Sequence, residues 1–254
     1  MNILEDKNIL FHGIGFNIFS LLGILKYGIV SNSQAQIESN PYFYVNTIGS
    51  NGYKDICVAI SPSINGISSS DTFNKYVVNG ISFLIKIDKN LTLKKKEVQS
   101  YNDMCYIENN VPTDNIKGIM INEKYLNTPI SELPVGLTNS GHIYKIVIPK
   151  KCAHIANCLS LECEYKVDLE EMEKLIISKN YDALEKFMRE NISKGFAKKL
   201  GENNPTLLDV FRYYDISLPI YNIDGEEISY KNVTKKWTIV IKYDHYLNIL
   251  TNKL

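Results

Sequence analysis

The sequence predicts an α+β protein in which a β-rich first part is followed by amphipathic helices and then by a return to strands. Short apolar runs of strand length recur through the first 150 residues. Hydrophobic residues recur at helical spacing between residues 168 and 214, and an Asp-Gly turn with apolar flanks follows them. We therefore predict a β-rich part at residues 1–150 and a helical and β part at residues 151–254, with a soft boundary between them.

The first predicted element is a strand that leads through a short loop into a helix. Residues 9–11 form an apolar run, which His12 and Gly13 end. Asn17 is a suitable N-cap for the amphipathic helix that follows, because its side chain can accept a hydrogen bond from the first turn. Gly28 predicts the end of this helix, since glycine readily adopts the left-handed conformation found there.

Further strands are predicted from apolar runs that turn residues separate. They lie at residues 42–45, 55–60, 77–87, 104–107, 116–121 and 143–148. The run at residues 55–60 is nearly all apolar, which predicts a central strand. The polar residues 31–41 predict a loop suited to lie over a ligand, and residues 68–76 predict a short helix.

The second part begins with helices. Asp168 and Asp182 precede two amphipathic segments that predict helices between about residues 168 and 195. Pro205 opens a third helix, because proline is tolerated at the first helical position. Asp224-Gly225 then predicts a hairpin, and residues 237–243 predict a further strand.

Charge and cysteine usage limit the classes of function. The 28 basic and 28 acidic residues balance, so no overall field draws the chain to nucleic acid or to an anionic membrane. The five cysteines show no disulfide framework, which favours a reducing, cytoplasmic compartment. Residues 9–30 approach the length of a membrane span, but His12, Asn17 and Lys26 favour a strand, loop and helix instead. We therefore expect no membrane insertion, and a protein rather than a nucleic acid as partner.

The succession of strand, His12-Gly13, loop and capped helix resembles the opening of the ADP-ribosyltransferase superfamily. The similarity is to the branch with a His-Tyr-Glu triad, which includes the poly-ADP-ribose polymerases and DNA-targeting bacterial toxins. The resemblance covers about the first half of the chain and implies a split β-sheet core that binds NAD. It also implies an enzyme that transfers ADP-ribose from NAD to a macromolecular acceptor, as a bacterial toxin or effector delivered into a host cytosol.

The resemblance implies a nicotinamide pocket. His12 matches the family histidine that hydrogen-bonds an NAD ribose hydroxyl, and Gly13 matches the glycine whose backbone meets the nicotinamide carboxamide. Ser61 ends the matching second strand, and Phe73 stands where the family has a tyrosine that stacks on the nicotinamide. Tyr76, one turn on, is the substitute if a hydroxyl is needed. Without the resemblance, His12 equally suits a strand end bonded to a carbonyl, and both aromatic residues suit helix-to-sheet packing.

Two carboxylates compete for the catalytic role that the resemblance implies. Cleavage of NAD passes through an oxocarbenium-like cation, which a fixed negative charge stabilises. Asp103 stands where the family has its glutamate, before an apolar strand, and Glu108 is the rival in what looks like a turn. Side chains alternate along a strand, so the two do not share one cleft unless a bulge intervenes. We favour Asp103, and a non-catalytic binding module on the same fold remains the alternative.

A separate cluster contains thiol and imidazole groups. Its members lie within twelve residues: Cys152, His154, Cys158 and Cys163. Four such ligands can close a tetrahedral zinc site, but the spacing matches no common zinc module. A cysteine nucleophile paired with a histidine has no local signature either. No metal is predicted, and structural zinc remains the alternative for this cluster.

Overall fold

The structure is a computed structural model that describes residues 2–6, 8–31, 42, 56–60, 80–91, 93–95, 105–108, 110–133 and 141–228. Its strands are β1 (Ile9–Gly13), β2 (Ile56–Ile60), β3 (Ile81–Lys86), β4 (Leu93–Lys95), β5 (Cys105–Glu108), β6 (Ile116–Ile121) and β7 (Ile220–Tyr221). Its α-helices are α1 (Ile18–Tyr27), α2 (Gly141–Glu162), α3 (Leu169–Ile177), α4 (Tyr181–Leu200) and α5 (Leu207–Tyr213). The α+β class is as predicted.

The strands form two sheets. The first has the order β1-β3-β6-β7, with antiparallel pairing of β1 to β3 and of β3 to β6 and parallel pairing of β6 to β7. The second has the order β2-β5-β4 and is antiparallel throughout. Strand β1 lies close to β2, so the two sheets approach each other at these strands.

The register of the first sheet defines two opposite edges. Gly13 pairs with Ser82, which pairs with Met120, so the last residues of β1 and β6 lie together at what we name the His12 edge. Ile116, the first residue of β6, pairs with Ile85 near the start of β1, and we name this the Ile116 edge.

Helix α1 begins and ends as the sequence predicts. The Asn17 side chain accepts a hydrogen bond from the Ser20 N–H at 3.0 Å, and Gly28 ends the helix at φ +81°. Phe19 in α1 stacks on Phe196 in α4, with ring centroids 5.7 Å apart. Both are fully buried, so the two predicted parts of the chain share one hydrophobic core.

The predicted strand at residues 143–148 is wrong, because these residues belong to α2. A short apolar run does not by itself distinguish a strand from a buried helical segment. The buried apolar residues of α2 recur every three or four positions: Ile148, Cys152, Ile155 and Leu159. The helix continues through Pro149 and across residue 150, where the sequence predicts the boundary between its two parts.

Two features of the second sheet also differ from the prediction. Strand β2 lies at the end of its sheet in the described part of the chain, not at the centre. Strand β4 is not among the predicted strands. Two of its three residues are lysines, so the segment has the polar composition that is typical of a loop. Of the strand predicted at residues 42–45 only Tyr42 is described, and the elements predicted at residues 68–76 and 237–243 lie outside the described residues.

The helices of the second part follow the predicted order, and their N-caps explain where they begin. Asp168 caps α3 as predicted, whereas Asn180, and not Asp182, caps α4. Thr206 caps α5, so Pro205 stands one position before the cap instead of inside the helix. Among the described helices, none has the length and apolar character that crossing a membrane requires.

The Asp224-Gly225 turn joins two paired segments, as the sequence predicts for a hairpin. Tyr221 bridges to Glu227, and the Ile228 N–H donates to the Ile220 carbonyl at 2.7 Å. The first of these segments is β7, which places the hairpin at the end of the first sheet beside β6.

Gly28 provides a test of the packing beneath α1. A Cβ at this position would lie 2.3 Å from the Val111 carbonyl oxygen, in a left-handed conformation that disfavours side chains. We expect Gly28→Ala to lower the free energy of unfolding by about 2–4 kcal/mol in urea titrations.

The matched control is Gly201→Ala at the end of α4. Gly201 has a similar φ of +73°, but an added Cβ meets nothing within 4 Å. This variant should lose only about 1 kcal/mol. Equal losses at the two positions would contradict the close approach of α1 to Val111.

Candidate functional site

The His12 edge contains His12 and Gly13, the residues for which the resemblance implies a nicotinamide pocket. His12 is half-buried at the end of β1, opposite Phe83 in β3. In the described part of the chain its imidazole has no hydrogen-bond partner, so the alternative in which it bonds a neighbouring carbonyl finds no support there. Burial lowers the pKa of His12 to about 4, so the ring is neutral near pH 7. A neutral imidazole offers one donor and one acceptor nitrogen.

The backbone of Gly13 is directed away from β3. The Asn8 carbonyl accepts from the Ile87 N–H at 2.8 Å, and the Ile14 N–H donates to the Ile81 carbonyl at 3.0 Å. Backbone groups alternate in direction along an antiparallel strand, so the even-numbered residues of β1 bond β3 and the odd-numbered ones point to the other side. Gly13 therefore directs a donor and an acceptor away from β3, without a Cβ beside them.

The loop after β1 keeps this edge partly open. Gly15 has φ +63°, and an added Cβ there would meet nothing within 4 Å. Beyond it, Phe16 packs against Tyr125, with ring centroids 4.5 Å apart and a tilt of 59°. Tyr125 belongs to the 3-10 turn Glu123–Tyr125, which follows β6 at the same edge. The aromatic pair therefore joins the loop after β1 to the turn after β6 at this edge.

The other predicted site residues are less fully described. Ser61, Phe73, Tyr76 and Asp103 lie outside the described residues. Glu108 is the last residue of β5 and pairs with Ile56 at the start of β2, so its position in a strand differs from the expected turn.

The cysteine and histidine cluster lies on α2 and directly after it, where the described side chains do not converge on a metal position. Within the described ranges, which include all four residues, no group of three or more potential ligands is placed to hold a metal ion. His154 Nε2 and Cys158 Sγ are 3.8 Å apart on one face of α2. Burial raises the pKa of Cys158 to about 12 and lowers the pKa of His154 to about 4. A neutral thiol beside a neutral imidazole also lacks the thiolate that nucleophilic catalysis requires.

A second candidate site, which sequence reasoning missed, lies at the Ile116 edge. It is a cleft of about 570 Å³, a size typical of small-molecule sites. Apolar side chains from α1, from β6 and from the segment after α5 line it: Leu22, Leu25, Ile116, Ile216 and Leu218. Glu162, at the end of α2, also lines it, and we name it the Glu162 cleft.

The Glu162 carboxylate is held by three partners. It accepts hydrogen bonds from the hydroxyls of Tyr42 and Tyr214 and from Lys199 Nζ, the last at 2.6 Å. Lys199 also donates to the Glu162 carbonyl at 2.5 Å and lies 5.2 Å from the ring centroid of Tyr214. Burial raises the pKa of Glu162, but the bonds from Lys199, Tyr214 and Tyr42 outweigh it and hold the pKa below its usual range.

The pKa values of the two tyrosines are raised, whereas the pKa of Glu162 is lowered. Burial, reinforced by the hydrogen bond to Glu162, raises the pKa of both Tyr42 and Tyr214. Both hydroxyls therefore remain protonated donors at neutral pH, and the carboxylate remains charged. Tyr214 ends the hydrophobic pattern that predicts the third helix, and no spacing pattern links it to Glu162, which lies 52 positions earlier.

Comparison with known proteins identifies no relative. No family model, curated protein or solved structure matches the chain. The fold class and the two edges of the first sheet are therefore the basis for a functional proposal.

The Glu162 network gives a pH-dependent stability prediction. Glu162→Gln removes the charge opposite Lys199 in a largely buried pair, and we expect it to lower the free energy of unfolding at pH 7 by about 1–3 kcal/mol. Because the folded-state pKa of Glu162 is lowered, its contribution is present above the unfolded value of about 4.3 and is lost as pH falls through the folded value.

The measurement is urea unfolding of wild type and variant from pH 7 to pH 3. The difference between them should be full at pH 7 and shrink at the acid end. Glu173→Gln on the exposed face of α3 is the control and should change little at any pH. A wild-type advantage that stays constant to pH 3 would contradict a charged Glu162 at the centre of this network.

Proposed function

We propose that this protein is an enzyme that transfers ADP-ribose from NAD to a protein acceptor, as a bacterial toxin or effector acting in a cytosol. The observation that carries the proposal is the orientation of Gly13 directly after His12. The nicotinamide carboxamide presents one donor and one acceptor side by side, which the N–H and carbonyl of Gly13, directed away from β3, complement. Glycine lets the ligand approach this backbone closely.

A role for His12 follows from its protonation state. The imidazole is neutral and has no protein partner in the described part of the chain, so it is available for a ribose hydroxyl. It can accept the hydroxyl proton at one nitrogen or donate from the other. With Gly13 on the carboxamide and His12 on the sugar, NAD would be held across the glycosidic bond that breaks.

The proposal requires a split β-sheet core, and the arrangement of the two described sheets supports it. The sheet that contains β1 approaches the other sheet at β2, so an end strand of one described sheet lies beside an end strand of the other. This supports a split-sheet core. It also places β5, which pairs with β2, one strand away from β1.

In this proposal Asp103, and not Glu108, is the catalytic carboxylate. Ile60 pairs with Cys105, and Ser61 and Asp103 each lie within two positions of this pair in the sequence. Glu108 lies at the other end of β5, about 10 Å along the strand. In the proposed reaction the carboxylate stabilises the ribose cation as nicotinamide leaves, and a nucleophile of the acceptor then bonds to the anomeric carbon.

NAD binding tests the His12 edge. NAD should raise the thermal unfolding midpoint of the wild type, because a ligand that binds only the native state stabilises it. His12→Ala should fold and lose this shift. His154→Ala is the matched control, since His154 is also a partly buried histidine with a lowered pKa but lies in α2. A full NAD shift in His12→Ala would remove His12 from the site, and no shift in the wild type would overturn the proposal.

Transfer tests the carboxylates. The wild type should attach label from adenine-labelled NAD to proteins of a mixed lysate. Asp103→Asn should reduce labelling by orders of magnitude while NAD still raises the thermal midpoint, because the charge acts in the transition state. Glu108→Gln should retain most of the labelling. The reverse result would assign the role to Glu108, and NAD binding without labelling or NAD cleavage would identify a non-catalytic binding module.

A further inference from the structure

The Glu162 cleft is separate from the proposed NAD site. It includes Ile116, which pairs with Ile85, whereas His12 is opposite Phe83, which pairs with Ile119. Ile116 and Ile119 are three residues apart in the extended strand β6, which corresponds to a distance of about 10 Å. Ligand binding in the cleft therefore does not depend on NAD chemistry at the His12 edge.

The cleft combines an apolar lining with an excess of negative charge. Three carboxylates line it, from Asp114, Asp215 and Glu162, against the one lining ammonium of Lys26 among the described residues. Lys199 already bonds Glu162, and Lys117 Nζ donates to the Asp114 carbonyl at 2.6 Å. Neither Lys199 nor Lys117 belongs to the lining. With Glu162 neutralised by Lys199, the lining keeps the carboxylates of Asp114 and Asp215 against the ammonium of Lys26.

The carboxylates of Asp114 and Asp215 are available to a ligand. Both residues are exposed at the cleft, and in the described part of the chain neither side chain has a hydrogen-bond or ion-pair partner. Asp215 is fixed by the turn that follows α5, where it adopts φ +47°. Two unpaired carboxylates beside apolar side chains favour a ligand with a cationic head and a hydrocarbon chain.

The ammonium of Lys199 is an example of a cation that is bound beside the Glu162 cleft. Its ammonium lies between the Glu162 carboxylate and the faces of Tyr213 and Tyr214, whose ring centroids are 5.6 and 5.2 Å away. Carboxylates and aromatic faces both stabilise a cation. Tyr42 and Tyr214 also line the cleft, so a ligand would meet the same combination of groups.

We propose that the Glu162 cleft binds an alkylammonium or alkylguanidinium group, with the hydrocarbon chain on Leu22, Leu25 and Leu218 and the cation between Asp114 and Asp215. The group belongs either to a small free amine or to a basic side chain of a protein. Both sources present the same chemistry, and they differ in whether a peptide backbone must also fit.

Calorimetric titration of the full chain with two probes distinguishes the sources. The first probe is agmatine, a free guanidinium on a short alkyl chain, and the second is the peptide acetyl-Gly-Arg-Gly-amide. The comparator is the same peptide with neutral citrulline in place of arginine. We expect at least one cationic probe to bind at least about tenfold more tightly than the citrulline peptide, and its affinity to fall as salt increases. Preference for agmatine indicates a free amine, and preference for the arginine peptide indicates a protein side chain.

The double variant Asp114→Asn with Asp215→Asn locates the binding. Asparagine tolerates the left-handed conformation of residue 215, so the variant should fold. It should bind the preferred probe at least about tenfold more weakly, whereas Glu173→Gln and His12→Ala should bind within about twofold of wild type. Failure of both cationic probes to bind, equal binding of the citrulline peptide, or unchanged binding in the double variant would overturn the proposal.

Discussion

The bond between Lys199 and Glu162 is the interaction on which the arrangement of the helical part depends. It joins the end of α2 to the end of α4, and the two tyrosine hydroxyls add the turn after α5 and Tyr42 to the same carboxylate. A largely buried carboxylate is unfavourable unless it is paired and hydrogen-bonded, and here both conditions are met. The one charged group therefore fixes four segments of the chain relative to one another.

Close helix packing places this pair. Gly195 in α4 faces Leu159 and Cys163, and a Cβ at Gly195 would lie 2.5 Å from Leu159 Cδ2. An alanine at this position would require the Leu159 side chain to shift, so the glycine favours the close approach of the two helices. Lys199 lies one turn beyond Gly195 and Glu162 lies one turn beyond Leu159, so the same close approach brings the ammonium to the carboxylate.

Sequence reasoning succeeded where structure is decided locally. The Asn17 cap, the Gly28 stop and the Asp168 cap depend on residues within one helical turn, and all three are present in the structure. It failed at residues 143–148, because a short apolar run fits a strand and a buried helix equally well. It could not find the Glu162 network, whose partners lie 37, 52 and 120 positions from Glu162. Among the residues predicted to bind NAD, His12 and Gly13 are the two that the structure describes. They lie on β1, which pairs with β3.

The parallel pairing of β6 with β7 has a consequence for how the chain folds during synthesis. Ile119 pairs with Ile220, and the four described helices α2 to α5 lie between them in the sequence. On the ribosome, β1, β3 and β6 emerge before β7, and among the described strands the outer edge of β6 gains its partner only after these helices have emerged. An unpaired strand edge is a template for unwanted pairing with other chains. Nascent chains should therefore be most prone to aggregation after β6 has emerged and before the residues of β7 reach it.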